Sequence, residues 1–172
     1  IFQNLTLLNT NVATAPISTS ANITVNGTLT FSNDKLLNIG TNNLALGTSG
    51  VTSGHTSARY IQTAGNASDA GVTKTFSANA TGYVIPVGTS TNYLPATYTF
   101  TTGTFGNITV RPISSDHPIL GAGNTGVGAY WAVSESGWAV PTVTHTYQYP
   151  VNGSDGAYSA GRYFSANWTD LG

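Results

Sequence analysis

Cysteine and methionine are both absent from the 172 residues. Without cysteine there is no disulfide framework, no thiolate metal site and no cysteine nucleophile. Charge is nearly absent too: charged residues make up 6% of the chain, against about 25% in an average soluble domain. Lys35, Arg59, Lys74, Arg111 and Arg162 stand against six carboxylates, for a net charge of −1. Nucleic acid is excluded as a partner, because phosphate binding needs clustered lysine and arginine, and binding to a charged membrane surface fails for the same reason. No apolar run approaches the ~20 residues that span a bilayer, so no membrane insertion is expected. Position 1 is not methionine, and Asn167-Trp168-Thr169-Asp170-Leu171-Gly172 carries no stop signal. The sequence therefore reads as a fragment or a mature form from which any leader has been removed, and the natural chain is expected to continue past Gly172.

Hydrophobic residues still make up 40% of the chain, enough for a core, and threonine, serine, asparagine and glycine must carry the surface. The organising stretch is Ala21 to Gly47, ANITVNGTLTFSNDKLLNIGTNNLALG. Apolar residues alternate at Ile23 and Val25, at Leu29 and Phe31 and at Leu44 and Leu46, which is the period of strands. Asn-apolar-Thr-apolar at Asn4-Leu5-Thr6-Leu7 recurs at Asn22-Ile23-Thr24-Val25 and returns as Asn43-Leu44-Ala45-Leu46. A return at about 20 residues with two or three short strands per interval is the pattern of a solenoid, whose single coil cannot bury its apolar face until a neighbour stacks on it. The second coil reads as Asn22 to Val25, Thr28 to Phe31 and Leu36 to Ile39. Leu5, Leu7, Ile23, Val25, Leu29, Phe31, Leu37, Ile39, Leu44 and Leu46 are expected to point inward. Asn26-Gly27 is also a strong hairpin signal, so an antiparallel meander is the competing reading.

Gly47 to Gly54 reads as loop and Arg59 to Thr63 as a short strand. After residue 65 the chain changes character: aromatics become frequent and prolines appear at Pro86, Pro95, Pro112, Pro118, Pro141 and Pro150. Strands over Val72 to Ser77, Tyr83 to Gly88, Ala96 to Thr101, Asn107 to Arg111, Tyr130 to Val133, Pro141 to Tyr149 and Ala160 to Phe164, separated by turns, suit an antiparallel sandwich or a cap on the solenoid. Residues 112 to 129 read as loop. The fold expected is all-β: parallel β-helix-like coils over 1–65, then an antiparallel β-sandwich-like or capping region over 66–172, with almost no helix.

Lys74-Thr75-Phe76, Ile85-Pro86-Val87-Gly88, Tyr93-Leu94-Pro95 and Tyr98-Thr99-Phe100-Thr101 together resemble a segment of large secreted cell-surface proteins of Bacteroidota. Tyr130-Trp131-Ala132-Val133, Ala160-Gly161-Arg162-Tyr163 and Asn167-Trp168-Thr169 are similar to the strand pair that follows in those proteins. The resemblance implies export, commonly by the type IX pathway, an extracellular or cell-surface location, and an adhesin-like or filament-forming role. The C-terminal sorting domain of that group is missing from these residues.

No chemistry-bearing constellation accompanies the strands. Asp116-His117 precedes Pro118 and reads as a turn, His55 lies among glycine and serine, and His145 shares the side of its strand with Val143 and Tyr147. No two acids fall within ten residues of each other, so a strong Ca²⁺ site is not expected, although backbone carbonyls leave room for a weak one. Asp116 with Glu135 is the one carboxylate pair to weigh for glycoside hydrolysis. No catalytic residue, metal or cofactor is expected, and the chain is read as a non-enzyme. Asn-x-Ser/Thr triplets at Asn4, Asn22, Asn26, Asn66, Asn79, Asn107, Asn152 and Asn167 read as compositional. Two surfaces remain. Phe2, Asn4, Leu5, Thr6 and Leu7 form an edge with neither charge nor proline, open to pairing with another copy or with the rest of a longer chain. Trp138, Tyr147 and Trp168 are the residues with which the alternative, a carbohydrate-binding or carbohydrate-cleaving module, would stack on surface glycans.

Overall fold

The computed structural model describes residues 1–8, 16–33, 36–120, 126–149 and 161–170. Lys35, the triplet at Asn152, and Ala160 lie outside them, as does part of the loop expected over 112–129. The described residues contain strands and turns and no helix. Their first half is a β-solenoid of about three turns. One face stacks β1 (Leu5–Leu7), β4 (Thr28–Phe31) and β7 (Val51–Ser53); a second stacks β2 (Ile17–Ser18), β5 (Leu37–Gly40), β8 (Ile61–Thr63) and β11 (Val87–Gly88). The third stacks β3 (Ile23–Val25), β6 (Asn43–Leu46) and β9 (Gly71–Thr75). Every pairing within these three stacks is parallel, which rules out the meander.

Alternation along each strand puts one set of side chains inside. Of the ten residues expected to point inward, Leu7, Val25, Leu29, Phe31, Leu37, Ile39, Leu44 and Leu46 are buried, and Leu5 and Ile23 are half-buried against them. Each fully buried leucine or isoleucine contributes about 1.5–3 kcal/mol from burial. Register threads them into rows: Ile23 beside Leu44 beside Val72, and Val25 beside Leu46 beside Lys74.

Two local readings of the sequence are corrected. Asn4-Leu5-Thr6-Leu7 does not stack on Asn22-Ile23-Thr24-Val25: Leu5 pairs with Leu29 and Leu7 with Phe31, one face earlier. The tetrads resemble one another because each starts a strand at a corner, and corners occur on more than one face. Gly47 to Gly54 is not all loop, because Val51–Ser53 forms β7 against β4, opened by the bond from Val51 N–H to the Gly27 carbonyl (2.9 Å). Flanking glycines and a strand of three residues conceal the alternation there.

The coils do not end at residue 65, since β9 and β11 continue the parallel stacks. The third face then turns antiparallel through β13 (Asn107–Ile113) and β14 (Tyr130–Ser136). The first face stops at β7. The strand that would come next, β10 (Ala80–Ile85), pairs instead antiparallel with β12 (Ala96–Thr104), and β12 with β15 (Ala139–Tyr147). This second sheet lies over the end of the third face, with Phe100 meeting Phe76 edge-on (4.8 Å between ring centres) and Trp138 at a tilt (4.6 Å). One buried apolar cluster runs from Leu7 to Val110 without a break. A separate hairpin, β16 (Gly161–Phe164) with β17 (Asn167–Asp170), completes the described chain.

Gly71 marks the turn into β9. Its φ of +76° is left-handed, and a Cβ there would stand 2.6 Å from the Val110 carbonyl oxygen. Both reasons call for glycine.

Candidate functional site

Among the described residues, the first coil presents unpaired main chain along its outer edge. Ser32 N–H bonds to the Leu7 carbonyl (3.1 Å), and Leu5 and Leu7 pair with Leu29 and Phe31, so the backbone groups of Leu5 and Leu7 are turned toward β4. Successive residues on a strand turn their N–H and C=O to opposite edges. Those of Thr6 therefore point away from the stack. On the second face, Ile17 and Thr19 N–H bond to Leu36 and Asn38 carbonyls (2.9 Å each), which leaves Ser18 pointing outward in the same way. The third face is bordered by Phe2, whose N–H bonds to the Thr24 carbonyl (2.7 Å) and whose own carbonyl accepts from Asn26 N–H (2.9 Å). Among the described residues nothing pairs with the outer edge of β1 or β2. Phe2, 41% exposed, and half-buried Leu5 and Ile17 bring apolar side chains to this end, with no charged residue among the first eight.

Asn4 belongs to the same end and shows what the asparagines do. Its Oδ1 accepts a bond from Thr28 N–H in the next coil (2.8 Å), and Asn22 Oδ1 accepts from Asn43 N–H in the same manner (2.8 Å). Asn43 continues the series in the opposite sense, its Nδ2 donating to the Gly71 carbonyl (2.9 Å) and Thr73 Oγ1 (3.0 Å). These side chains clamp one coil to the next. Three of the triplets that also fit a glycosylation pattern are engaged in this structural way, Asn107 Oδ1 accepting from Thr75 Oγ1 (2.7 Å). The recurrence at Asn4, Asn22 and Asn43 was the signal that could have revealed the clamps.

The three aromatic residues do not share one platform. Trp138 is packed among Phe76, Phe100 and Phe105 and donates its indole N–H to the Asn107 carbonyl (2.8 Å). Tyr147 lies 5.1 Å from Trp131 and its hydroxyl is 3.2 Å from that of Tyr98, in the same aromatic chain. Burial pushes both phenols up. Trp168 sits apart on the hairpin, 43% exposed, with His117 at 5.1 Å and Tyr163 at 5.3 Å.

Asp116 and Glu135 lie at opposite ends of the ladder between β13 and β14, Glu135 opposite Ile108 and Asp116 beyond Ile113. At ~3.4 Å per residue this exceeds the ~10 Å span over which two carboxylates share a glycosidic bond. Asp116 Oδ1 instead accepts from Gly128 N–H (2.9 Å), and the His117 carbonyl closes a turn with Leu120 N–H (2.9 Å). His145 is exposed beside Tyr147. No group of three metal-ligating side chains converges among the described residues.

The most perturbed cation is Lys74, buried in the row between Leu46 and Ile108. Its ammonium donates to the carbonyls of Gly47 (2.6 Å) and Thr48 (2.8 Å) and stands over the rings of Phe76 and Tyr83. Loss of water around the amine lowers its pKa from 10.5 to about 8. Alternation carried the signal, since Val72, Lys74 and Phe76 share one side of β9 while Thr73 and Thr75 share the other.

Fold and site thus define an all-β protein whose parallel coils are followed at one end by antiparallel sheets and, among the described residues, present unpaired strand edges at the other. No family model, no curated protein and no solved structure matches this chain.

Proposed function

We propose that this chain is a non-catalytic structural or adhesive module of the cell surface, joined through the open edge of its first coil to a further β-strand of another copy or of a longer chain. One observation carries the reading: the outward N–H and C=O groups of Thr6 and Ser18 lie beside apolar side chains with no charge to protect them. Natural sheets guard such edges with lysine, proline or bulges. A strand added here gains main-chain hydrogen bonds, and the alternation of Leu5 and Leu7 sets its register. Contacts of this kind that fail to close on themselves build a filament, and a net charge of −1 supplies little repulsion between copies.

Thr6→Pro tests it cleanly. Thr6 is exposed and its N–H is outside the ladder with β4, so proline deletes an edge donor without touching a coil bond. Sedimentation and negative-stain microscopy of the native material should show assemblies that shrink to single units in the variant. Assemblies unchanged by Thr6→Pro, or a native protein strictly monomeric at high concentration with this edge open to solvent, overturn the reading.

A second reading, glycan binding, is favoured by exposed Trp168 beside half-buried Tyr163, Tyr130 and His117, in a group whose neighbouring rings lie 4.9–5.3 Å apart. Glycan-array signal lost in Trp168→Ala would support it. Loss in Trp138→Ala alone would report damage to the core.

A further inference from the structure

Where the first face stops, the two sheets part and leave a cleft of about 290 Å³ lined by Val51, Thr52, His55, Thr81, Gly82, Tyr83 and Val84. Among the described residues, both walls are strand edges. On one side, Val51 N–H bonds to the Gly27 carbonyl, so Val51 and Ser53 face β4 and the backbone of Thr52 faces the cleft. On the other, the bond from Gln148 N–H to the Pro95 carbonyl, with the register of β12 and β15, turns Thr97 and Thr99 toward β15. Tyr98 and Ala96 then face β10, pairing with Tyr83 and Ile85, and the backbone of Val84 is left pointing into the cleft. The bond from Tyr83 hydroxyl to the Gly50 carbonyl (2.8 Å) ties the two walls together at the floor. No carboxylate, lysine or arginine lines the space, and burial favours the uncharged form of His55.

We propose that this cleft is a binding slot for an uncharged, extended peptide segment of a partner protein, which enters as the missing strand between β7 and β10. Main-chain donors and acceptors on both walls ask for a ligand that offers the same groups along both of its edges, which a β-strand does and a sugar ring does not. Three residues of strand run ~10 Å at a spacing of ~4.8 Å from each neighbour, matching the three residues of β7. The small volume admits alanine, serine, glycine or threonine side chains, and the absence of any countercharge turns charged ones away. This slot is separate from the first-coil edge, so it stands or falls independently of the assembly proposed above.

The test is an NMR titration of the full chain with a capped hexapeptide of alternating threonine and alanine. Its controls are the same peptide N-methylated at alternate amides, and maltohexaose as a neutral glycan. The hexapeptide should shift the amide resonances of Thr52, Gly82 and Val84 while the N-methylated form leaves them in place. Thr52→Pro, which deletes a donor aimed into the slot, should weaken binding at least tenfold, read at Ser53 and Gly82. If that substitution disturbs the spectrum elsewhere, Val84→Pro removes the equivalent donor from the opposite wall. Unmoved resonances, equal binding of the N-methylated peptide, or shifts caused by maltohexaose alone would each overturn the proposal.

Discussion

The two ends of the third face are built for opposite fates. At the first coil the face borders on Phe2, and neither charge nor proline interrupts residues 1–8. At the far end the same rows run out on β14, where Val133 continues the row of Ile23, Leu44, Val72 and Val110, and Glu135 continues that of Val25, Leu46, Lys74 and Ile108. A carboxylate on the inner side of an edge strand makes a further strand costly, since pairing would bury it without a partner. On β15, the other terminal strand, the register with β12 breaks twice between Phe100 and Thr104. The sandwich end is therefore guarded by chemistry as well as by topology, whereas among the described residues the outer edge of the first coil carries no such guard. Associations should concentrate at the unguarded end.

The contrast extends to packing, and its sharpest test is a pair of truncations in one row. Leu44 is fully buried at the centre of the coils, and Val133 is 42% exposed at the guarded edge. Leu44→Ala should cost about 2–5 kcal/mol, from lost transfer energy and the cavity left behind. Val133→Ala, with fewer neighbours to lose, should cost less than about 1 kcal/mol. Equal costs in urea denaturation would show that the edge is as tightly packed as the coils and that the comparison is false.

Lys74 joins the two regions, and its titration gives the next effect. The amine loses its proton near 10.5 when unfolded and near 8 when folded, so between those values the unfolded chain binds more protons and raising the pH stabilises the fold. The gain should reach about 1–3 kcal/mol. Above about pH 10 the buried phenols of Tyr83 and Tyr98 oppose it, because burial keeps them protonated in the fold after the unfolded chain has lost those protons. Stability should therefore peak near pH 10. Lys74→Met should abolish the rise between pH 8 and 10; a rise that survives would place its origin elsewhere.

The architecture was largely legible because the coils obey one rule, alternation, that needs no partner to be read. Three strand positions of the second coil and eight inward side chains followed from Ala21 to Gly47 alone, with Leu5 and Leu7 added by the alternation of the first tetrad. What stayed hidden depended on distant backbone. Phase between coils was misjudged because Asn4 and Asn22 start strands on different faces, and β7 was hidden because its order comes from Gly27 rather than from Val51, Thr52 and Ser53 themselves. Of the candidate sites, the uncharged edge could be read directly, while the cleft could not, since it exists only because β10 leaves its expected place beside β7. The density of aromatics after residue 65 suits a sandwich core better than a stacking face, and Trp138 takes the core role among Phe76, Phe100 and Phe105, partners that its own neighbours in sequence do not name.

The asparagine clamps give the smallest effect and the finest distinction. Asn22 acts as an acceptor only, through Oδ1 to Asn43 N–H, whereas Asn43 acts as a donor through Nδ2 to the Gly71 carbonyl and Thr73 Oγ1. Aspartate keeps the acceptor and removes the donor, so the same substitution should have different consequences one coil apart. Asn22→Asp preserves its bond on an exposed corner and should change stability by less than about 0.5 kcal/mol. Asn43→Asp sets a half-buried carboxylate against a carbonyl oxygen and should cost about 1–3 kcal/mol. Thr73 can rotate its hydroxyl to donate, which relieves part of that cost, but the Gly71 carbonyl has nothing to give. If the two variants melted at the same temperature, the clamps would be packing residues in which the direction of the hydrogen bond is immaterial.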